Sequence, residues 1–271
     1  MTSDSSPILG EAVQSAEDDG GESAWFNDHF HEAPRQIVEF LSGDGVALEG
    51  QRVADIGCGD GLIDLGLAHL ARPAELVGYD IEDTDVDSLG AWARRHGVDG
   101  ELPAGLHFQR CTPTHVPVPD ATFDVVVSWS AFEHISEPVI MAREIRRILK
   151  PTGLAFVQIW PLYYSEHGSH RWPWFPGGFA QFLHEEGRIE EVVRSTAVAD
   201  RVTADNLRDA ELNRMTIDEL QRCLLAGGLN VTKLELITQA VHVPPKLARY
   251  PLSWLGISGI KLIACPDPNL G

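Results

Sequence analysis

The densest chemical signal in the chain is Asp55-Ile-Gly57-Cys-Gly59-Asp-Gly61, which follows one short apolar run and opens another. Glycines at such a turn let a backbone approach a ligand closely and adopt positive φ. A helix starting there offers its N-terminus to a negative group such as a carboxylate. A second acid, Asp80, ends the next apolar run. In strand–turn–helix units that position reaches a pair of ribose hydroxyls. The spacing separates this turn from two better-known ones. A dinucleotide fingerprint would place its third glycine at position 62, where Leu62 stands, and no Gly-Lys-Ser/Thr follows to make a phosphate loop.

Candidate bases and ring-binding surfaces gather further on. The segment from Trp160 to Phe179 is rich in aromatics and histidine. His167 and His170 offer bases, and Arg171 an anion contact. Tyr163, Tyr164, Trp172 and Trp174 offer flat faces suited to a sugar or another ring. The same residues also fit an aromatic lid packed on the core, with histidines that only hydrogen-bond. Glu133-His134 is a second pair, which places His134 beside His167 and His170 as a candidate base. The run Asp80-Ile-Glu-Asp-Thr-Asp-Val-Asp87 looks like a calcium loop, but Ser88 stands where such a loop needs glycine and Arg94 where it needs a bidentate acid. It reads as a solvated turn. A divalent cation stays open, with no site fixed for it.

These residues need a scaffold, and the patterning supplies one. Strand signals at 52–56, 75–80, 106–110, 123–128 and 154–159 alternate with helical signals at 62–70, 89–96 and 138–149. Such alternation predicts a parallel sheet with helices on both faces. Lys150-Pro-Thr-Gly153 breaks the last of these helices. Thr216-Ile-Asp-Glu219 is a capping-box pattern opening a helix to Ala226, followed by strands at 229–237 and 259–264. Two segments interrupt the core, 161–215 and 239–258, both longer than ordinary connections.

In this order the chain resembles the class I S-adenosylmethionine (SAM)-dependent methyltransferases. Five motifs carry the resemblance: Val53-Ala-Asp-Ile-Gly-Cys-Gly-Asp-Gly61, Val77-Gly-Tyr-Asp80, Val118-Pro-Asp-Ala-Thr-Phe-Asp124, Ala131-Phe-Glu-His-Ile135 and Leu149-Lys-Pro-Thr-Gly153. The resemblance implies an α/β, Rossmann-like, seven-stranded, mostly parallel sheet with an antiparallel last strand. It implies SAM as cofactor, leaving S-adenosylhomocysteine as product. Gly57, Cys58 and Gly59 would lie against the methionine end, with Asp55 organising the loop and accepting from the amino group. Asp80 would hold the ribose and Ile81 would flank the adenine. Thr112 stands where the family often has an acid for the adenine amino group. Ser128 and Trp129 would sit near the methyl group. Glu-His pairs like Glu133-His134 recur in relatives with different substrates, which favours a structural role for them.

The resemblance points to methylation of a hydroxyl on a small molecule, with a sugar or glycan acceptor favoured. A polyketide, phenol or quinone acceptor methylated at oxygen or carbon is the alternative, and a non-catalytic interaction protein the alternative of another class. Composition bounds these readings. The 271 residues carry 40 acids against 21 Lys and Arg, a net charge of −19, which disfavours nucleic acid and anionic lipid as partners. Arg143, Arg146, Arg147 and Lys150 form the closest thing to a basic patch, at a helix C-terminus where cations are favourable anyway. No apolar run approaches a membrane span, and four scattered cysteines suit a reducing cytoplasm. The expected organisation is a disordered acidic tail over 1–23 and a methyltransferase domain over 24–271. Within that domain, 24–50 forms a helical cover, holding Trp25, Phe26, His29 and His31, and 161–215 a lid for the substrate.

Overall fold

The computed structural model describes residues 19–195 and 212–269. The acidic stretch 1–18 and part of the expected insertion, 196–211, lie outside the described residues. Seven strands form one sheet in the order β3-β2-β1-β4-β5-β7-β6. They are β1 (Arg52–Ile56), β2 (Glu75–Asp80), β3 (Leu106–Arg110), β4 (Phe123–Trp129), β5 (Leu149–Ile159), β6 (Leu229–Thr238) and β7 (Ile257–Pro266). The first five pair in parallel, and β7 lies antiparallel between β5 and β6. Chain order reverses between β1 and β4, and sheets of this kind open their ligand crevice at the carboxyl ends beside that point.

Both faces of the sheet are covered, which is why the central strands read as unbroken apolar runs. One face packs on α5 (Pro138–Ile148) and α8 (Ile217–Ala226) through Ile145, Leu220 and Leu224. The other packs on α2 (Ala33–Ser42), α3 (Leu62–Ala71) and α4 (Val86–Arg95) through Ile37, Leu41, Leu65 and Trp92. The capping box closes as its sequence predicts. The Thr216 hydroxyl accepts the Glu219 N–H at 3.2 Å, and the Glu219 carboxylate accepts the Thr216 N–H at 2.8 Å.

Three elements differ from the sequence expectation. α1 (Asp19–Phe26) starts inside the stretch assigned to the tail and continues through a π-helical turn, Asn27–Glu32, into α2. Phe26 and Phe30 on this segment are buried, and that burial draws the helix past the apolar pattern's apparent start. β5 begins at Leu149 rather than at Leu154. Pro151 stops α5, but the chain after it stays extended beside β4, with Lys150 Nζ donating to Asp124 Oδ1 at 2.7 Å. The insertion holds α6 (Ala180–Leu183) and α7 (Glu186–Ser195), and the second long connection holds α9 (Leu252–Gly256). No helix among the described residues is long and apolar enough to cross a membrane.

Candidate active site

The glycine turn joins β1 to α3 at the carboxyl edge of the sheet. Gly57, Gly59 and Gly61 all have positive φ, at 84°, 53° and 79°. A Cβ on Gly57 would stand 2.4 Å from the Ala131 Cβ, so the turn presses against the chain leaving β4. A Cβ on Gly59 would meet nothing within 4 Å, so this part of the turn faces open space. Asp80 completes the cradle. Its Oδ2 accepts the Gly59 N–H at 3.0 Å and its Oδ1 accepts the Glu82 N–H at 3.1 Å. A carboxylate has about four lone-pair sites. Each oxygen therefore keeps capacity for a ribose hydroxyl while the two amides hold the group still. Ile81 is 51% exposed beside it, an apolar surface open to a flat ring. Thr112 is exposed in a short bridge with His115 after β3, and the Cys111 N–H donates to the Asp80 carbonyl at 2.7 Å.

Beneath the turn lie two buried acids. Asp55 is the penultimate residue of β1 and is 1% exposed, and Asp64 on α3 is fully buried. Burial first, then the Asp80 charge, push Asp55 up to about 7, while a hydrogen bond from Asp64 pulls the other way. Asp64 is pushed well above the carboxylate range by burial, then by Asp55 and Asp60. Asp55 Oδ1 and both Asp64 oxygens have no donor from another group. A hydrogen bond between the two acids therefore needs a proton on one of them, which Asp64 supplies. Asp64 escaped the sequence reading. Its signal was an acid inside the apolar helix run Leu62-Ile-Asp-Leu-Gly-Leu67. Cys58 is buried, and burial raises its thiol pKa. The N-terminal cover touches this turn, because Trp25 Nε1 donates to Asp60 Oδ2 at 3.0 Å. Trp25 stacks on His29 with centroids 3.7 Å apart, while His31 packs edge-on against Phe26 and Phe30.

The other wall comes from the ends of β4 and β5. Ser128 is fully buried and its hydroxyl donates to the Ile56 carbonyl at 3.0 Å, so it ties β4 to β1. Trp129 stacks on Phe156 with centroids 6.2 Å apart. After them, Glu133 and His134 lie in a 3-10 turn, Phe132–His134. Asn213 clamps this turn, donating through Nδ2 to the Phe132 and Ile135 carbonyls at 2.7 and 3.1 Å and through its backbone N–H to the Glu133 carbonyl at 2.8 Å. Sequence reading missed Asn213, whose one visible mark is its place just ahead of the capping box.

The two histidines of the segment after β5 separate in their surroundings. His170 reaches the β4 turn, with its ring perpendicular to that of His134 and 5.3 Å away between centroids. Burial, then His134, lower its pKa to about 4, against a hydrogen bond to the Pro161 carbonyl that raises it. Its imidazole is therefore neutral at physiological pH. His167 sits 3.8 Å from Glu166. Trp172 is 41% exposed, with its ring 6.2 Å from those of both His170 and Trp160. Trp174 instead packs in a small core with Ile189 and Val193, and buried Arg171 is paired with Glu186 at 3.1 Å. Tyr163 and Tyr164 join an aromatic cluster with Phe182, and Trp254 closes on Tyr164 at 4.2 Å. Of the expected ring-binding side chains, Trp172 is the one on the open side beside His170.

Comparison with known proteins agrees with this geometry. Residues 54–157 match a family model described as a methyltransferase domain. A ubiquinone biosynthesis O-methyltransferase from Cereibacter sphaeroides is 25% identical over 189 residues, covering 62% of this chain and 73% of that protein. Other relatives with the same description are matched over 40–54% of their length. Among solved structures, a chain of the complex between the Haloferax volcanii Trm112 methyltransferase activator and a methyltransferase superposes with a TM-score of 0.56 at 17% identity, covering 92% of this chain and 94% of that one. An S-adenosylmethionine-dependent methyltransferase from Mesorhizobium loti gives 0.51 at 17% identity, covering 83% and 95%. The strand order, the glycine turn with its open middle, the amide-held acid after β2 and the matched domain converge on one conclusion: residues 54–157 of this chain are a methyltransferase domain, set in a Rossmann-like fold shared with SAM-dependent methyltransferases.

Proposed function

We propose that the chain transfers the methyl group of SAM to a hydroxyl of a small, ring-bearing acceptor. The observation that carries this reading is the facing pair His134–His170, in which His134 lies on a turn whose neighbour Ala131 abuts Gly57. Bound SAM supplies a methyl on a sulfonium, which an oxygen takes in line while the C–S electron pair returns to sulfur. The protein's share is positioning and proton handling. Asp80 fixes the ribose end, and the backbone at Gly57 to Gly59 admits the methionine end. Asp55, stripped of donors at Oδ1, suits the amino group. His134 and His170 take the hydroxyl's hydrogen bond, and the exposed faces of Trp172 and Trp160 bear the ring.

The O-methyl chemistry in the relatives' description supports a hydroxyl acceptor, and their part in ubiquinone biosynthesis favours a phenolic or quinone-related ring. The sugar acceptor stays as a second reading, because an exposed tryptophan face also suits a pyranose. A SAM-dependent assay over hydroxylated aromatics and glycosides separates them. Turnover of phenolic acceptors with none on glycosides supports the first reading, and the reverse supports the second. No binding of SAM or S-adenosylhomocysteine by calorimetry would overturn both, leaving a non-catalytic interaction protein.

A further inference from the structure

We propose that Glu133, His134 and His170 form a binding site for a first-row divalent transition-metal ion, which holds the acceptor oxygen beside the methyl donor. This inference rests on the methyl-transfer reading for its purpose but not for its test. One ligand atom from each of the three residues lies within 4.8 Å of the others. Bonds of about 2.1 Å in tetrahedral geometry need donors ~3.4 Å apart, so closing the site takes a shift of about 1 Å. Glu133 is buried in a turn whose backbone Asn213 holds at three points, whereas the side chain of His134 on the same turn is exposed. His170 arrives from a different segment, at a backbone φ of 57° that L-residues seldom adopt. A conformation of that kind persists only where its surroundings impose it, and it marks ligand clamps among other sites. Here it brings the imidazole over the turn.

The donor set selects the ion. Two imidazoles and one carboxylate suit zinc, manganese, iron or cobalt, whereas magnesium and calcium prefer all-oxygen shells. Three protein ligands leave at least one position open, as at catalytic metal sites. The open side is that of exposed His134, with Trp172 beyond His170. A hydroxyl bound there loses its proton to water more readily, because the dication stabilises the oxyanion. The site lies next to the methyl donor, since Ala131, two residues before Glu133, touches the Gly57 position. The imidazoles then act as ligands, and the metal takes over the task of making a nucleophilic oxygen at neutral pH.

The test is metal binding itself, read without turnover. Full-length protein stripped with a chelator is titrated with Co²⁺, following visible absorption and equilibrium dialysis, with SAM affinity measured on the same samples. One Co²⁺ per chain is expected. His134→Ala and His170→Gln should each weaken it at least about tenfold, Glu133→Gln should do the same, and His167→Ala should leave it unchanged. SAM affinity should stay within about twofold throughout. His134→Ala alters an exposed side chain, so the test survives even if the buried Glu133 variant fails to fold. Wild-type protein that binds SAM but takes up no stoichiometric Co²⁺ overturns the metal site and leaves the methyltransferase reading standing. So does Co²⁺ binding that none of the three substitutions weakens. Failure to bind SAM would instead overturn the proposed function.

Discussion

Replacing Asp64 with asparagine should stabilise this protein at neutral pH, although it removes a buried hydrogen-bonding acid beneath the cofactor turn. Asp55 and Asp64 are both excluded from water, and burial is the largest cause of each raised pKa. In the unfolded chain they ionise near the ordinary carboxylate value of 3.8, whereas folded Asp55 sits at about 7. Between those limits the folded pair keeps protons that the unfolded chain has lost. The unfolded state then binds fewer protons, so stability falls as pH rises. For Asp55 the contribution is fully present below 3.8 and is lost through the window up to about 7, and Asp64 acts in the same direction. Each retained proton costs ~1.4 kcal/mol per pH unit, or ~4 kcal/mol across a window of about three units. Asparagine keeps the shape and offers an N–H to Asp55, but it does not titrate. The variant should therefore match or fall below wild type at pH 4.5 and gain on it steadily as the pH rises toward neutrality, because Asp64 is held well above the carboxylate range. Urea unfolding at half-unit pH steps measures this directly. Carboxylates outside the pair act alike in both proteins, so the difference between the two curves reports the Asp55–Asp64 pair. Parallel curves would refute the reasoning, because they would mean that Asp64 is already ionised in the folded protein.

Other substitutions probe the cradle and its clamp. Asp80→Ala should weaken SAM roughly 10- to 150-fold, since a hydrogen bond to a charged group contributes ~1.5–3 kcal/mol, and calorimetry showing unchanged affinity would remove Asp80 from the ribose. Gly57→Ala should lose ~1–2 kcal/mol to the left-handed backbone alone and more to the clash at Ala131. Adding Ala131→Gly should recover the clash but not the backbone cost in thermal melts. Asn213→Ala should lower kcat several-fold while leaving SAM affinity intact, because it loosens the Glu133–His134 turn without touching the glycine turn. A fall in SAM affinity equal to the fall in kcat would contradict that division.

The sheet and the glycine turn were legible because their causes are local. Val125, Val126 and Val127 sit in a strand covered on both faces, and a run of β-branched residues suits that environment whatever lies nearby. The glycine turn and Asp80 are also written locally, since positive φ at Gly57, Gly59 and Gly61 is met by glycine itself. The β5 start was misplaced because Pro151 forbids a helix without forbidding an extended chain. The segment after β5 resisted reading for a different reason. Trp172 and Trp174 are two residues apart and identical in type, yet one faces solvent and the other packs on Ile189 and Val193. Nothing within the segment distinguishes them, because contacts with α7 decide which side each ring takes.

Asp64 shows how far local reading could have gone. An ionised acid among Leu62, Ile63, Leu65 and Leu67 on a helix packed against the sheet cannot be solvated, so it must be neutral or paired with a cation. No Lys or Arg lies within a helical turn of it in sequence. A proton on the acid itself is the remaining solution, so a neutral Asp64 was legible in the sequence, whereas its meeting with Asp55 comes from the fold. The same logic does not extend to the acceptor pocket. Its polarity depends on His170 meeting Glu133 and His134 across 36 positions of sequence, a distance only the fold closes.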